Sequence, residues 1–180
     1  MFDGWDEFYL LAGSAAAVLI GLIFVVISLM QNRSRSSVLA GSRLYMGPIV
    51  LGVSFVLVLS AAALTPGISR AEYAAIAGVV ALWGLFRGIL SLVGIRGLLS
   101  NGEVHWTDPL FYGAIPSAIY LALLGVAAAF WNGCPWAHYG IAAATTAILL
   151  CAIRNEWDLI TWIAPQADTP EGFGDHPADQ

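Results

Sequence analysis

The group of greatest chemical consequence in this 180-residue chain is a guanidinium in an unsuitable solvent: Arg87, inside the apolar stretch LWGLFRGILSLVGIRG at residues 82 to 97. Arginine is not neutralised in proteins, so a position inside a membrane span calls for an acceptor, a route to water or an anion. Arg96 lies nine residues further on, which is ~13 Å along a helix and on nearly the opposite face. If Arg96 marks the interface, Arg87 sits deeper, and the two side chains do not share a cavity. No acid lies inside an apolar run to neutralise Arg87. Its candidate partners are carbonyls freed near a kink, the hydroxyls of Ser54, Ser91, Ser117, Thr145 and Thr146, anionic lipid headgroups, and the carboxylates of Glu156 and Asp158. A structural snorkel or ion pair stands beside a second role, that of attracting anions or lining a pore.

Other catalytic chemistries are poorly supplied. His105, His138 and His176 fall in separate segments with no HxxxH or HExxH spacing, so neither a metal site nor a bis-histidine haem is expected. A hydrolase needs a nucleophile beside a base, and the one histidine at a span, His138, has Tyr139 and Trp136 as its expected company. Proton relays need acids within the bilayer; Glu7 and Glu72 come nearest, each read as an exposed interfacial acid. Cys134 and Cys151 lack CxxC spacing and read as structural, with an interchain bridge open to Cys134 on an oxidising side.

The elements that must position these groups are set by composition. Hydrophobic residues make up 59 % and charged residues 11 % of the chain, against about 25 % charged in soluble domains. Apolar runs long enough to cross a bilayer lie at about 8–30, 46–66, 72–96, 109–131 and 137–154, since ~20 helical residues span the hydrocarbon. The expected fold is therefore an all-α integral membrane protein, with five transmembrane helices packed as an antiparallel bundle. Arg33, Arg35, Arg43, Arg96 and Arg154 would share one side and Arg70 the other, which predicts the N-terminus outside and the C-terminus cytoplasmic. The first run, behind the acidic leader MFDGWDE, does not read as a cleaved signal.

Local chemistry marks several boundaries. Asp108-Pro109 is a start signal for the fourth span, Pro66-Gly67 ends the second, and Pro116 should kink the fourth. Beyond Arg154, the segment RNEWDLITWI predicts a helical extension over 155–163 at headgroup level, where Arg96, Arg154, Glu156, Trp157, Asp158 and Trp162 are interfacial. The segment 164–180 reads as an acidic, disordered tail outside the 1–163 transmembrane domain.

Gly13, Ala17 and Gly21 recur every fourth residue in the first span, and Gly84 and Gly88 do so in the third. Such stripes let helices approach closely, either inside one chain or across a homo-oligomeric interface.

The segments GSAAAVLIGLIFVVIS at 13–28 and RNEWDLITWI at 154–163 resemble a bacterial family of small polytopic membrane proteins. Families of this kind are sometimes labelled modulators of a membrane-bound AAA protease. The resemblance implies an inner-membrane accessory that binds another membrane complex, and it carries over no functional residue. The chain is thus expected to be a non-enzymatic accessory or assembly subunit, without cofactor or metal. Its expected partners are membrane lipids and either copies of itself or other membrane subunits. The alternative is a small homo-oligomeric channel or transporter with Arg87 near the permeation path. Nucleic acid is excluded as a partner because seven arginines against twelve acids cannot assemble a phosphate-binding face.

Overall fold

Long apolar runs without water must satisfy their own backbone, and helices do so within one segment. The computed structural model describes residues 2, 4–29, 47–99 and 109–163. Among these residues every regular element is helical. We label them α1 (Asp6–Leu29), α2 (Gly47–Ala63), α3 (Arg70–Leu99), α4 (Ile115–Trp131, entered through a π-helical turn Leu110–Ala114) and α5 (Ala137–Ile163). Four stretches are long and apolar enough to cross a membrane: Asp6–Val25, Arg70–Gly94, Leu110–Trp131 and Ala137–Thr161. The chain is a multi-pass membrane protein by that measure. At 17 residues α2 is shorter and equally apolar. The arginines of the first loop, Asp108, His105, His176 and the tail 164–180 lie outside the described residues.

Contacts run from α2 to α3, α3 to α4, α4 to α5 and α5 back to α2, while α1 packs mainly on α2 and less on α5. The extension foreseen beyond Arg154 is continuous with α5, which runs unbroken for 27 residues. Polar signals define the turns. Ser69 and Glu72 form a reciprocal capping box at the start of α3: the Ser69 N–H donates to Glu72 Oε2 (2.8 Å) and the Glu72 N–H donates to Ser69 Oγ (3.2 Å). Two otherwise orphaned donors are satisfied this way. Glu72 therefore has a structural task beyond that of an exposed acid. Between α4 and α5, Gly133 adopts φ +77°. The Cys134 N–H reaches back to the Ala129 carbonyl and the Gly133 N–H to that of Phe130, the glycine-dependent Schellman closure of a helix end.

The same end of the molecule is sealed by aromatic rings. Phe2 is buried, with centroid distances of 4.6 Å to Tyr73, 5.1 Å to Tyr9, 5.5 Å to Phe130 and 5.6 Å to His138. His138 thus has Phe2 and Phe130 for ring company, where sequence order suggested Tyr139 and Trp136. Tyr139 instead meets Trp5 edge-on at 5.1 Å.

Candidate functional site

At the other end of the molecule, the proline of α4 creates the most polar locality inside the fold. The Ile115 N–H bonds to the Leu110 carbonyl in the wide π register. The next residue, Pro116, has no N–H to continue it, which strands the carbonyl of Phe111. Asn155 of α5 supplies the missing donor: its Nδ2 lies 3.2 Å from the Phe111 oxygen. Tyr112, one residue on, donates its hydroxyl to the Asn155 carbonyl (3.2 Å) and to Asp158 Oδ2 (3.3 Å). The kink foreseen at Pro116 thus takes the form of a π-helical turn, and Asn155 takes up a freed carbonyl that had been considered for Arg87.

Arg154 completes this cluster. Its guanidinium stacks 3.6 Å from the Phe111 ring centroid, donates to Asn155 Oδ1 (3.1 Å) and pairs with Asp158 at 3.7 Å. Stacking and pairing together suit a planar cation on partly apolar ground. Glu156 is 5 % exposed, and among the described residues neither carboxylate oxygen has a hydrogen-bond partner. Trp157, its neighbour, is exposed. Arg96 and Trp162 fall in the last turns of α3 and α5.

Beside the cluster a cleft opens among α2 to α5, lined in part by Gly52, Gly84, Arg87, Tyr120, Cys151 and Asn155. Its walls are predominantly apolar, and its free interior is about 30 Å³. That is room for roughly two waters, since a water needs about 10–15 Å³ on this measure. Arg87 stands at the rim, exposed. Its Nη2 would be 3.6 Å from a β-carbon on Gly47, the first residue of α2. Among the described residues neither Glu156 nor Asp158 pairs with it; Asp158 is engaged by Arg154 and Tyr112. The hydroxyls considered as partners are mostly spent on their own helices: Ser117 donates to the Gly113 carbonyl, Thr145 to that of Ile141 and Thr146 to that of Ala142. Ser91 Oγ is buried, with no hydrogen-bond partner among the described residues.

No known family, curated protein or solved structure matches the chain.

Small residues shape how the cleft is built. A β-carbon on Gly84 would lie 2.5 Å from the Tyr120 ring, and one on Gly88 would lie 2.5 Å from Ser117 Oγ. The aromatic ring of α4 therefore occupies the side-chain space that α3 leaves vacant. In α1 the corresponding stripe is used only at its first step. A β-carbon on Gly13 would lie 3.1 Å from Ser60 Cβ of α2, whereas Ala17 is exposed and, among the described residues, Gly21 has nothing within 4 Å of its β-position. Cys134 and Cys151 are free thiols, and among the described residues no three His, Cys, Asp or Glu side chains gather as a metal set. Tyr112 and Asn155 escaped the sequence reading. The available signal was the proline itself, whose missing N–H obliges some donor to come from another helix.

Proposed function

We propose that the chain is a non-enzymatic accessory or assembly subunit of a membrane complex. In this reading it crosses a bacterial inner membrane five times as an antiparallel bundle, with its N-terminus outside and its C-terminus cytoplasmic. The observation that carries it is the unfilled half of the α1 stripe: Ala17 and Gly21 present bare backbone outward, with Val18 and Leu22 exposed around them. In lipid, helices associate through close packing at small residues, and among the described residues nothing approaches the Gly21 β-position within 4 Å. The resemblance of the two end segments to a family of small polytopic membrane proteins, sometimes labelled modulators of a membrane-bound AAA protease, points the same way.

The channel alternative draws on Arg87 at the mouth of the cleft. A cleft with room for about two waters does not conduct within one chain, so that reading requires a pore formed between copies.

Native mass spectrometry of the complex, extracted in mild detergent from its own host at natural abundance, separates the two. Foreign subunits in fixed ratio, lost from Ala17→Leu or Gly21→Leu while the chain itself stays folded, support the accessory reading. A pure homo-oligomer whose liposome flux depends on Arg87 supports the channel. Unchanged assembly in both leucine variants removes the stripe as an interface.

A further inference from the structure

We propose that Arg87 and the adjoining outer face of α3 form a binding site for a phospholipid with an anionic headgroup, the phosphate at the guanidinium and the acyl chains along the helix. This assignment is independent of the accessory reading.

Arg87 carries a permanent charge within the stretch Arg70–Gly94 that is apolar enough to span a membrane, and it is exposed. The five acids among the described residues are all placed elsewhere. Asp6 and Glu7 open α1, at the other end of the fold; Glu72 caps α3; Asp158 is held by Arg154 and Tyr112; and Glu156 is buried with no partner. A guanidinium has five donors and no acceptor, and among the described residues no carboxylate meets its charge.

Geometry selects the class of anion. The cleft interior, at about 30 Å³, is too small to take an organic ligand, which leaves the rim as the place of binding. Around that rim the neighbouring surface is apolar: Trp83, Phe86 and Leu90, within one turn of Arg87, are each about half exposed. A cation at the edge of an apolar, outward-facing surface matches an amphiphile whose head is anionic and whose tail is hydrocarbon.

Depth agrees as well. From Arg70, where α3 begins, Arg87 lies ~26 Å along the helix, close to the thickness of the hydrocarbon core, which sets its guanidinium near the edge of the apolar slab, where phosphates lie.

The test is native mass spectrometry of the full chain in mild detergent, with added dioleoyl phosphatidylglycerol, dioleoyl phosphatidylcholine or inorganic phosphate. We expect one phosphatidylglycerol retained per chain in preference to phosphatidylcholine, and retention reduced about fivefold in Arg87→Leu, the factor expected of one basic residue at an anionic surface. Arg87→Lys, which keeps the charge, should retain most of it, and Arg154→Leu serves as the control cation. Equal retention of the two lipids, or retention undiminished in Arg87→Leu, overturns the assignment. Inorganic phosphate held as firmly as the lipid overturns the lipid as its source. Should Arg87→Leu not elute as folded protein, Arg87→Gln takes its place under the same criteria.

Discussion

The third and first helices carry small residues at the same four-residue spacing, and the fold treats them in opposite ways. In α3, Gly84 and Gly88 are filled from α4 by the Tyr120 ring and Ser117; in α1, Gly13 meets Ser60 of α2, while among the described residues nothing lies within 4 Å of the Gly21 β-position. Spacing creates an opportunity for close approach, and occupancy depends on what the neighbour offers. Tyr120 extends across Gly84, places its hydroxyl 3.8 Å from a β-position on Gly52 and meets Phe55 edge-on at 5.8 Å, so one ring joins three helices. Among the described residues no ring reaches the Gly21 β-position in this way.

The sharpest way to break this comparison is a pair of matched substitutions. Gly84→Leu forces bulk into the Tyr120 ring and should destabilise the fold by at least the ~1–3 kcal/mol typical of overpacking, seen as a large loss of monodisperse protein on heating in detergent. Gly21→Leu should leave the chain's own thermal midpoint unchanged. Equal losses in the two would mean that α1 is as enclosed as α3.

A second substitution moves from packing to polarity. Asn155→Ala withdraws the amide donor from the part-buried Phe111 carbonyl and leaves it the weak Cys151 Sγ contact at 3.9 Å, a cost of up to roughly 1–3 kcal/mol, moderated toward ~1 kcal/mol in membrane proteins. Thermal unfolding monitored by circular dichroism reads the effect, and Pro116→Ala in the same background should recover part of it by restoring an N–H. No recovery would show that the carbonyl is not the group that needs Asn155.

The smallest effect is expected at Gly88→Ala, where the tightest obstacle is the Ser117 hydroxyl, which can turn aside by giving up its bond to the Gly113 carbonyl. A cost of about 1 kcal/mol, on the scale of a strained rotamer, should shrink when Ser117→Ala is added. Additivity of the two changes would place their side chains out of contact.

These contrasts also explain what could be read from the chain alone. The five helices were legible because each apolar run is long and uninterrupted, and the starts at Asp6, Arg70 and Ala137 fall within two residues of the expected 8, 72 and 137. The capping box was present in the order Ser69, Arg70, Ala71, Glu72, though Glu72 reads as an exposed acid if its serine is overlooked. Asn155 and Phe111 are 44 residues apart, and no local pattern joins them; only the backbone deficit at Pro116 hinted that a donor was needed. Phe2 was hidden behind the acidity of its leader, because ring clusters are assembled by tertiary packing rather than by periodicity. The two glycine stripes looked alike because the pattern records only the missing bulk, while the filling side chain belongs to another helix.

The hairpin of α4 and α5 is fastened at both ends. The Gly133 turn closes one end with backbone bonds, and Asn155 and Tyr112 close the other by joining the π-turn to α5. Helices tied in this way cannot fray independently, since loosening the last turn of one also unseats a carbonyl or hydroxyl of the other. Local opening should therefore occur as a single cooperative event, and the pair behaves as one folding unit against which the other three helices are arranged.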